Sequence, residues 1–203
     1  MPTIDLENLT KKWWFYLLLF LIAFMTPPYT AKPVTYTEIG ELVITVLREA
    51  FTQHRWLAPV FHIATTILII FLWKFGEKIG QYFYAYLAGN YIFMAFASSV
   101  AVTEKFGFVV ISSNLFLILF VGFLWILGIF QCKGNFESPK IQKWRLWAIP
   151  LAILAFWFPI NELAQPNFNP LLLLTSDYGI AFCPTTPVMV FILTLYHPNI
   201  YKQ

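Results

Sequence analysis

The chain has 203 residues, of which 59% are apolar, 20% aromatic and only 11% charged, with a formal net charge of +3. Soluble domains carry roughly 25% charged residues, so this chain has too few charges to cover a water-facing surface. The composition indicates an integral membrane protein and excludes disordered, collagen-like and disulfide-scaffold proteins. Basic residues occur singly or in pairs, which excludes nucleic acid as a partner.

The apolar segments predict a polytopic membrane protein. A helix needs about 20 mostly apolar residues to cross a hydrocarbon core roughly 30 Å thick. We predict an all-α fold in which residues 1–203 form a single integral membrane domain. The six predicted transmembrane helices cover residues 9–26, 57–74, 79–103, 106–131, 144–160 and 180–197.

The first apolar segment has two interpretations. It follows Lys11 and Lys12 and ends at Pro27, so a secretory signal peptide is the alternative to a membrane helix. No small-residue cleavage site follows it, and we favour a retained helix.

The distribution of basic residues predicts the orientation, because cytoplasmic loops are enriched in Lys and Arg. With the N-terminus inside, nine Lys and Arg fall on inner segments and four on outer ones. We therefore expect a multi-pass protein of the cell membrane with both termini in the cytoplasm.

A different kind of helix is predicted at residues 35–53. Apolar residues such as Ile39, Leu42 and Val46 recur at the spacing of one helical face, and Thr35 with Glu38 forms a capping-box signature. We expect an amphipathic helix that lies flat on the outer membrane surface or over the bundle. It would act as a lid or docking helix, or as a plain interfacial spacer.

Polar residues inside a bilayer are costly and tend to face the bundle interior. Here they concentrate in the outer half of the predicted spans. If they converge, they form an outward-facing pocket beneath the amphipathic helix, with His62, Asn114 and Cys183 close together. The candidate ligand-binding residues are His62, Thr66, Glu104, Asn114, Cys183 and Thr185.

These candidates also have structural interpretations. His62 can bond to its own helix backbone or to Thr66. Glu104 can be a solvated or paired charge at the membrane surface. Asn114 can form an interhelical hydrogen bond, and threonine hydroxyls such as that of Thr185 usually bond back to their own helix.

The sharpest local feature is Phe182-Cys183-Pro184-Thr185-Thr186-Pro187. Proline is favoured in the first turn of a helix, so Pro184 marks a helix start with Cys183 at or beside the N-cap. The positive end of the helix dipole favours a thiolate there, which would permit thiol chemistry or metal ligation. The same residues also suit a plain helix start.

The sequence supplies no strong cofactor motif. No C-x-x-C or H-x-x-x-H pair occurs, and a bridge between Cys132 and Cys183 is excluded because the predicted topology places them at opposite membrane faces. The spacing of the three histidines does not suggest haem. We predict no cofactor, metal ligand or catalytic residue, although a single metal shared by His54, His62 and either Cys183 or Glu104 stays open.

The C-terminal half carries two motifs, Lys143-Trp144-Arg145-Leu146-Trp147 and Gly179-Ile180-Ala181-Phe182-Cys183-Pro184-Thr185-Thr186. In these it resembles a prokaryotic family of small polytopic membrane proteins of unknown function. The resemblance implies a polytopic membrane protein and assigns no activity.

Three functions are compatible with these features. The first is a non-catalytic membrane protein with an outward-facing pocket for a small ligand or for transport. The second is an auxiliary or scaffolding subunit of a larger membrane complex, and the third is a membrane-embedded thiol or metal enzyme that uses Cys183. The expected partners are the lipid bilayer and either other protein subunits or a second copy of the chain.

Overall fold

A computed structural model describes residues 8, 10–131, 143–160 and 165–196. This part of the chain is mostly helical, as predicted. The helices are α1 Trp13–Met25, α2 Ile39–His54, α3 Ala58–Phe75, α4 Glu77–Ala97, α5 Ser112–Gln131, α6 Ala148–Trp157 and α7 Phe182–Tyr196. The strands are β1 Tyr29–Thr30, β2 Val100–Thr103 and β3 Gly107–Val110. Shorter helical turns are Tyr36–Glu38, Arg55–Leu57, Lys143–Trp147 and Leu172–Thr175.

Helix α4 lies at the centre of the bundle. Its buried residues Phe83, Leu87 and Tyr91 pack with Ile118 of α5 and Met189 of α7 in the main apolar core. Because other helices pack against it, α4 can bury side chains that carry a polar atom, such as Tyr91, whose hydroxyl lies 3.1 Å from Thr186 Oγ1.

Within the described residues, two helical segments are long and apolar enough to cross a membrane, Tyr36–Phe75 and Ser112–Phe130. The apolar segments Trp13–Met25, Arg145–Trp157 and Phe182–Tyr196 are shorter. Helix lengths in the described part of the chain therefore do not support the six-span bundle that was predicted. Residues 9 and 197, at the limits of the first and last predicted spans, lie outside the described residues.

The predicted limits of the third and fourth spans are wrong. Helix α4 ends at Ala97 and α5 begins at Ser112, and the chain between them forms the antiparallel pair β2 and β3. This stretch is rich in β-branched residues, which favour strands. Strand β1 pairs with the other edge of β3, giving the sheet order β1, β3, β2.

The predicted amphipathic helix is present as Tyr36–Glu38 followed by α2. Its apolar residues Leu42 and Val46 are buried against Ala101, Phe106 and Val109 of the sheet and its hairpin turn. The structure packs this helix over the sheet, and its position relative to a membrane stays a prediction. Its apolar face covers the sheet, so we name α2 and the three strands the cap.

The start of the cap helix is held by the predicted capping pair. Glu38 Oε2 accepts hydrogen bonds from the Thr35 hydroxyl at 2.7 Å and from the Thr35 backbone N–H at 3.1 Å. Lys105, in the hairpin turn, contacts Glu38 Oε1 at 3.2 Å and Glu41 Oε2 at 2.7 Å. These contacts join the helix to the hairpin by charge as well as by apolar packing.

The hydrogen bonds from Thr35, and then the Lys105 ammonium, lower the pKa of Glu38 from 4.5 to about 2. Because the pKa of this carboxyl is depressed, its ionised form stabilises the fold at any pH above the ordinary pKa of 4.5. This contribution to stability is lost as the pH falls toward 2.

We expect an NMR titration of Glu38 to have its midpoint near 2. In Thr35→Ala the midpoint should move upward more than in Lys105→Met, because the hydrogen bond from the Thr35 hydroxyl, which this substitution removes, is the largest single cause. Equal midpoints in the wild type and Thr35→Ala would contradict this assignment.

Candidate functional site

His62 lies buried near the start of α3, and both of its ring nitrogens lie within hydrogen-bond distance of other groups. Its Nδ1 is 2.8 Å from the carbonyl oxygen of Ala58, one turn earlier in the same helix. Its Nε2 is 3.0 Å from Ser176 Oγ and 3.2 Å from the carbonyl oxygen of Phe156. The carbonyl oxygens of Ala58 and Phe156 can only accept, and the Ser176 hydroxyl donates to the Phe156 carbonyl at 3.1 Å. A neutral ring therefore donates from one nitrogen only, either from Nδ1 to Ala58 or from Nε2 to Ser176 and Phe156. His62 thus links α3 to the chain on both sides of the 158–175 connection.

A chain of hydroxyl groups lies beside His62. The Tyr178 hydroxyl is 3.1 Å from Thr65 Oγ1, which is 2.7 Å from the hydroxyl of Tyr86. The Tyr86 hydroxyl also donates to the carbonyl oxygen of Phe61 at 3.3 Å. Sequence reasoning did not single out Ser176, Tyr178 or Tyr86, since their roles depend on contacts between segments that are distant in the chain.

The loop before α7 is fixed around Gly179. The Gly179 N–H donates to Thr185 Oγ1 at 2.8 Å, and Asn90 Nδ2 donates to the Gly179 carbonyl oxygen at 2.8 Å. The Thr185 hydroxyl in turn donates to the carbonyl oxygen of Ala181 at 2.7 Å. Thr185 is therefore a helix-start residue with both of its hydrogen-bonding roles occupied.

Gly179 is also required by its backbone and its neighbour. It has φ of +80°, and a Cβ at this position would lie 2.3 Å from Cβ of Phe61. Only glycine fits both constraints without strain. The spacing of Gly179, Pro184 and Thr185 in the C-terminal motif thus has a structural explanation.

Helix α7 begins at Phe182, earlier than the Pro184 signature predicted, and Cys183 is its second residue instead of lying at or beside the N-cap. Its thiol is free and exposed, whereas Pro184 is buried. Thr186 Oγ1 lies 3.1 Å from the Tyr91 hydroxyl of α4. These contacts favour the helix-start interpretation of the motif, and the reactivity of the Cys183 thiol stays a prediction.

Glu104 and Asn114 lie at the cap. Glu104 is exposed in the hairpin turn, and its backbone carbonyl accepts from Lys32 Nζ at 2.7 Å. Asn114 Nδ2 donates to Ser99 Oγ at 3.0 Å and to Ser98 Oγ at 3.4 Å. Asn114 thus ties the first turn of α5 to the end of α4, which is the interhelical bond expected of it.

Only one pair of the six candidate residues is joined by a hydrogen bond: Thr66 Oγ1 donates to the His62 carbonyl oxygen at 2.8 Å. The hydrogen bonds of His62, Asn114 and Thr185 lead to three separate sets of partners. A single pocket built from all six residues stays a prediction. Within the described ranges, no group of three or more His, Cys, Asp and Glu could hold a metal ion.

Two of the cavities that described residues line lie between the helices. The larger, of about 730 Å³, runs along α5 between α1 and α7 and is lined by Phe15, Asn114, Leu117 and Trp125 among others. The smaller, of about 330 Å³, lies between α3, α6 and α7 and includes Thr66 in an otherwise apolar lining. Ligand sites in proteins are mostly apolar with a few polar groups and have volumes of roughly 300 to 1,000 Å³. Both cavities fit that description.

Comparison with known proteins does not assign a family. No family model matches the chain, and neither a curated protein nor a solved structure matches it. The resemblance inferred from the C-terminal motif therefore stays a prediction.

We expect Gly179→Ala to destabilise the protein by roughly 2 to 5 kcal/mol, from left-handed backbone strain and overpacking against Phe61. Thermal unfolding of the purified protein in detergent measures the effect. The matched control is Gly40→Ala, since Gly40 lies in α2 with nothing within 4 Å of its added Cβ. That change should be neutral or stabilise by up to about 1 kcal/mol. Equal effects of the two substitutions would refute the proposed role of Gly179.

Proposed function

We propose that the chain is a multi-pass membrane protein whose six apolar helices cross the bilayer, with both termini cytoplasmic. Antiparallel packing supports this topology. His62, near the start of α3, bonds to Phe156 near the end of α6, and Arg145 before α6 donates to the carbonyl oxygen of Thr194 near the end of α7. Consecutive spans must alternate in direction, so six spans would make α3 antiparallel to α6 and α6 antiparallel to α7, in agreement with these contacts.

The shorter helices are compatible with such a topology. Helix α1 has 13 residues and α7 has 15, whereas α6 has 10, or 13 with the turn that begins at Arg145. Their lengths are about 20 Å, about 22 Å and about 15 to 20 Å. Bilayers thin locally, and flanking residues adjust, around spans shorter than the hydrocarbon core. The orientation rests on the distribution of Lys and Arg, with nine on the inner segments and four on the outer ones.

Cysteine labelling tests this topology. In a background without Cys132 and Cys183, we expect a membrane-impermeant maleimide to label Tyr36→Cys in intact cells. It should label Lys12→Cys and Lys78→Cys only after permeabilisation. All three positions are exposed in the fold. Labelling of Tyr36→Cys and Lys78→Cys from the same side would rule out a crossing by α3.

We further propose that the protein binds a small apolar ligand in the cavity along α5 and has no catalytic role. The observation that supports this function is the cavity itself, because it has the size of a ligand site and includes the polar residue Asn114. The hydrogen-bonding capacity of His62 and Thr185 is used within the fold. This makes the α5 cavity a better candidate site than a polar pocket around His62.

Filling the cavity tests this function. We expect Leu117→Trp to reduce the occupancy of any co-purified small molecule at least about tenfold, because an added aromatic side chain would take up ligand space. Native mass spectrometry of gently solubilised protein measures the occupancy. Phe116→Trp is the control, since Phe116 is adjacent in the chain but exposed on another face of α5. Equal occupancy in both variants would contradict a ligand site in this cavity.

An auxiliary subunit is the second candidate, supported by an apolar surface on the cap. Val102 and Phe108 are paired across the sheet, and the Tyr29 ring lies 6.2 Å from that of Phe108. These side chains are 67%, 44% and 59% exposed. Exposed apolar patches mark interaction sites. Co-purifying subunits together with an empty α5 cavity would favour this function over ligand binding.

A further inference from the structure

The lining of the α5 cavity restricts the chemistry of its ligand. Among the described residues that line it, none is charged. A carboxylate or ammonium group placed there would lack a counter-charge in a medium of low dielectric constant, which is strongly unfavourable. The ligand that fits this cavity is therefore neutral.

The cavity is also long and narrow. Its lining residues on α5 extend from Asn114 to Gly128, a separation of about 21 Å at the helical rise per residue. If each heavy atom takes about the 30 Å³ of a water molecule, the volume of about 730 Å³ holds about 24 heavy atoms. These dimensions suit one extended hydrocarbon chain with a small head group.

Asn114 supplies a polar group at one end of this cavity. Its Nδ2 is directed to Ser98 and Ser99, and Ser98 Oγ itself donates to the carbonyl oxygen of Met94 at 2.6 Å. Ser98 Oγ is therefore an acceptor, which fixes the orientation of the Asn114 amide. The Oδ1 atom of Asn114 receives no hydrogen bond from the described part of the protein, so it is available to a donor on a ligand.

We propose that the cavity binds a neutral single-chain lipid with a hydroxyl head group, whose O–H donates to Asn114 Oδ1. The hydrocarbon chain lies along α5, between Phe15 of α1 and Phe182 of α7. This inference rests on the proposed ligand-binding function and adds the class of ligand. The Asn114 amide oxygen favours an alcohol, which carries a donor, over an ether, and the uncharged lining disfavours a carboxylate.

Three probes with the same hydrocarbon chain test the inference: hexadecanol, hexadecyl methyl ether and palmitate. Each is titrated against the full-length protein in detergent, with binding followed by native mass spectrometry. We expect the wild type to bind hexadecanol roughly 3- to 10-fold more tightly than the ether, which lacks the donor. Palmitate should bind more weakly than hexadecanol at neutral pH.

Substitution of Asn114 separates recognition from structural support. In Asn114→Leu the preference for hexadecanol over the ether should disappear. Ser99→Ala removes a partner of Asn114 but leaves Oδ1 in place, so the preference should persist there. Loss of the preference in Ser99→Ala to the same extent as in Asn114→Leu would overturn the direct contact.

The outcomes also separate this inference from the proposed function. If the wild type binds alcohol and ether equally, and Leu117→Trp abolishes the binding of both, the cavity binds chains but the hydroxyl assignment is wrong. Preferential binding of palmitate would likewise overturn the assignment. If Leu117→Trp weakens the binding of none of the probes, both the ligand class and the ligand-binding function are refuted.

Discussion

The arrangement of the bundle depends on how the backbone of residues 176–181 is satisfied. This segment is buried but not helical, so its N–H and carbonyl groups lack the regular intrahelical partners. Unpaired backbone groups cost several kcal/mol each in an apolar environment, and non-helical backbone at membrane depth is tolerated only where protein surrounds it. Asn90 and Thr185 bind the two polar groups of Gly179, which fixes where α7 begins.

The need to pair these buried backbone groups also determines which polar side chains remain available to bind a ligand. His62 and Ser176 are bonded to each other and to the Phe156 carbonyl, and Thr185 is bonded on both sides. Residues that in sequence have the character of a binding site therefore hold segments of the fold together. Asn114 differs, because only its amide nitrogen is engaged and it lines a cavity. The candidate ligand site consequently lies along α5 and not around His62.

The cap gives the bundle a second, smaller core at the end where α4 leads into β2 and β3 leads into α5. Burial of Leu42, Val46 and Val109 joins α2 to the sheet, and Lys105 adds ion pairs with Glu38 and Glu41. The ion pairs are exposed, so they contribute less to stability than the apolar contacts do. Their effect is to fix the hairpin turn against one end of the cap helix.

Much of the local structure could be predicted from the sequence. Hydrophobic periodicity placed the cap helix, the Thr35 and Glu38 pair marked its start, and Pro184 marked the region where α7 begins. Each of these signals acts within a few residues, through helical periodicity or the unpaired N–H groups of a helix start. Only the tertiary structure determined that the cap contains strands, that α2 packs on Ala101, Phe106 and Val109, and which groups His62, Asn90 and Asn114 bind. These features depend on residues far apart in the chain, such as Gly179 with Asn90, because a polar side chain shows in sequence that it needs a partner but not which one it will find.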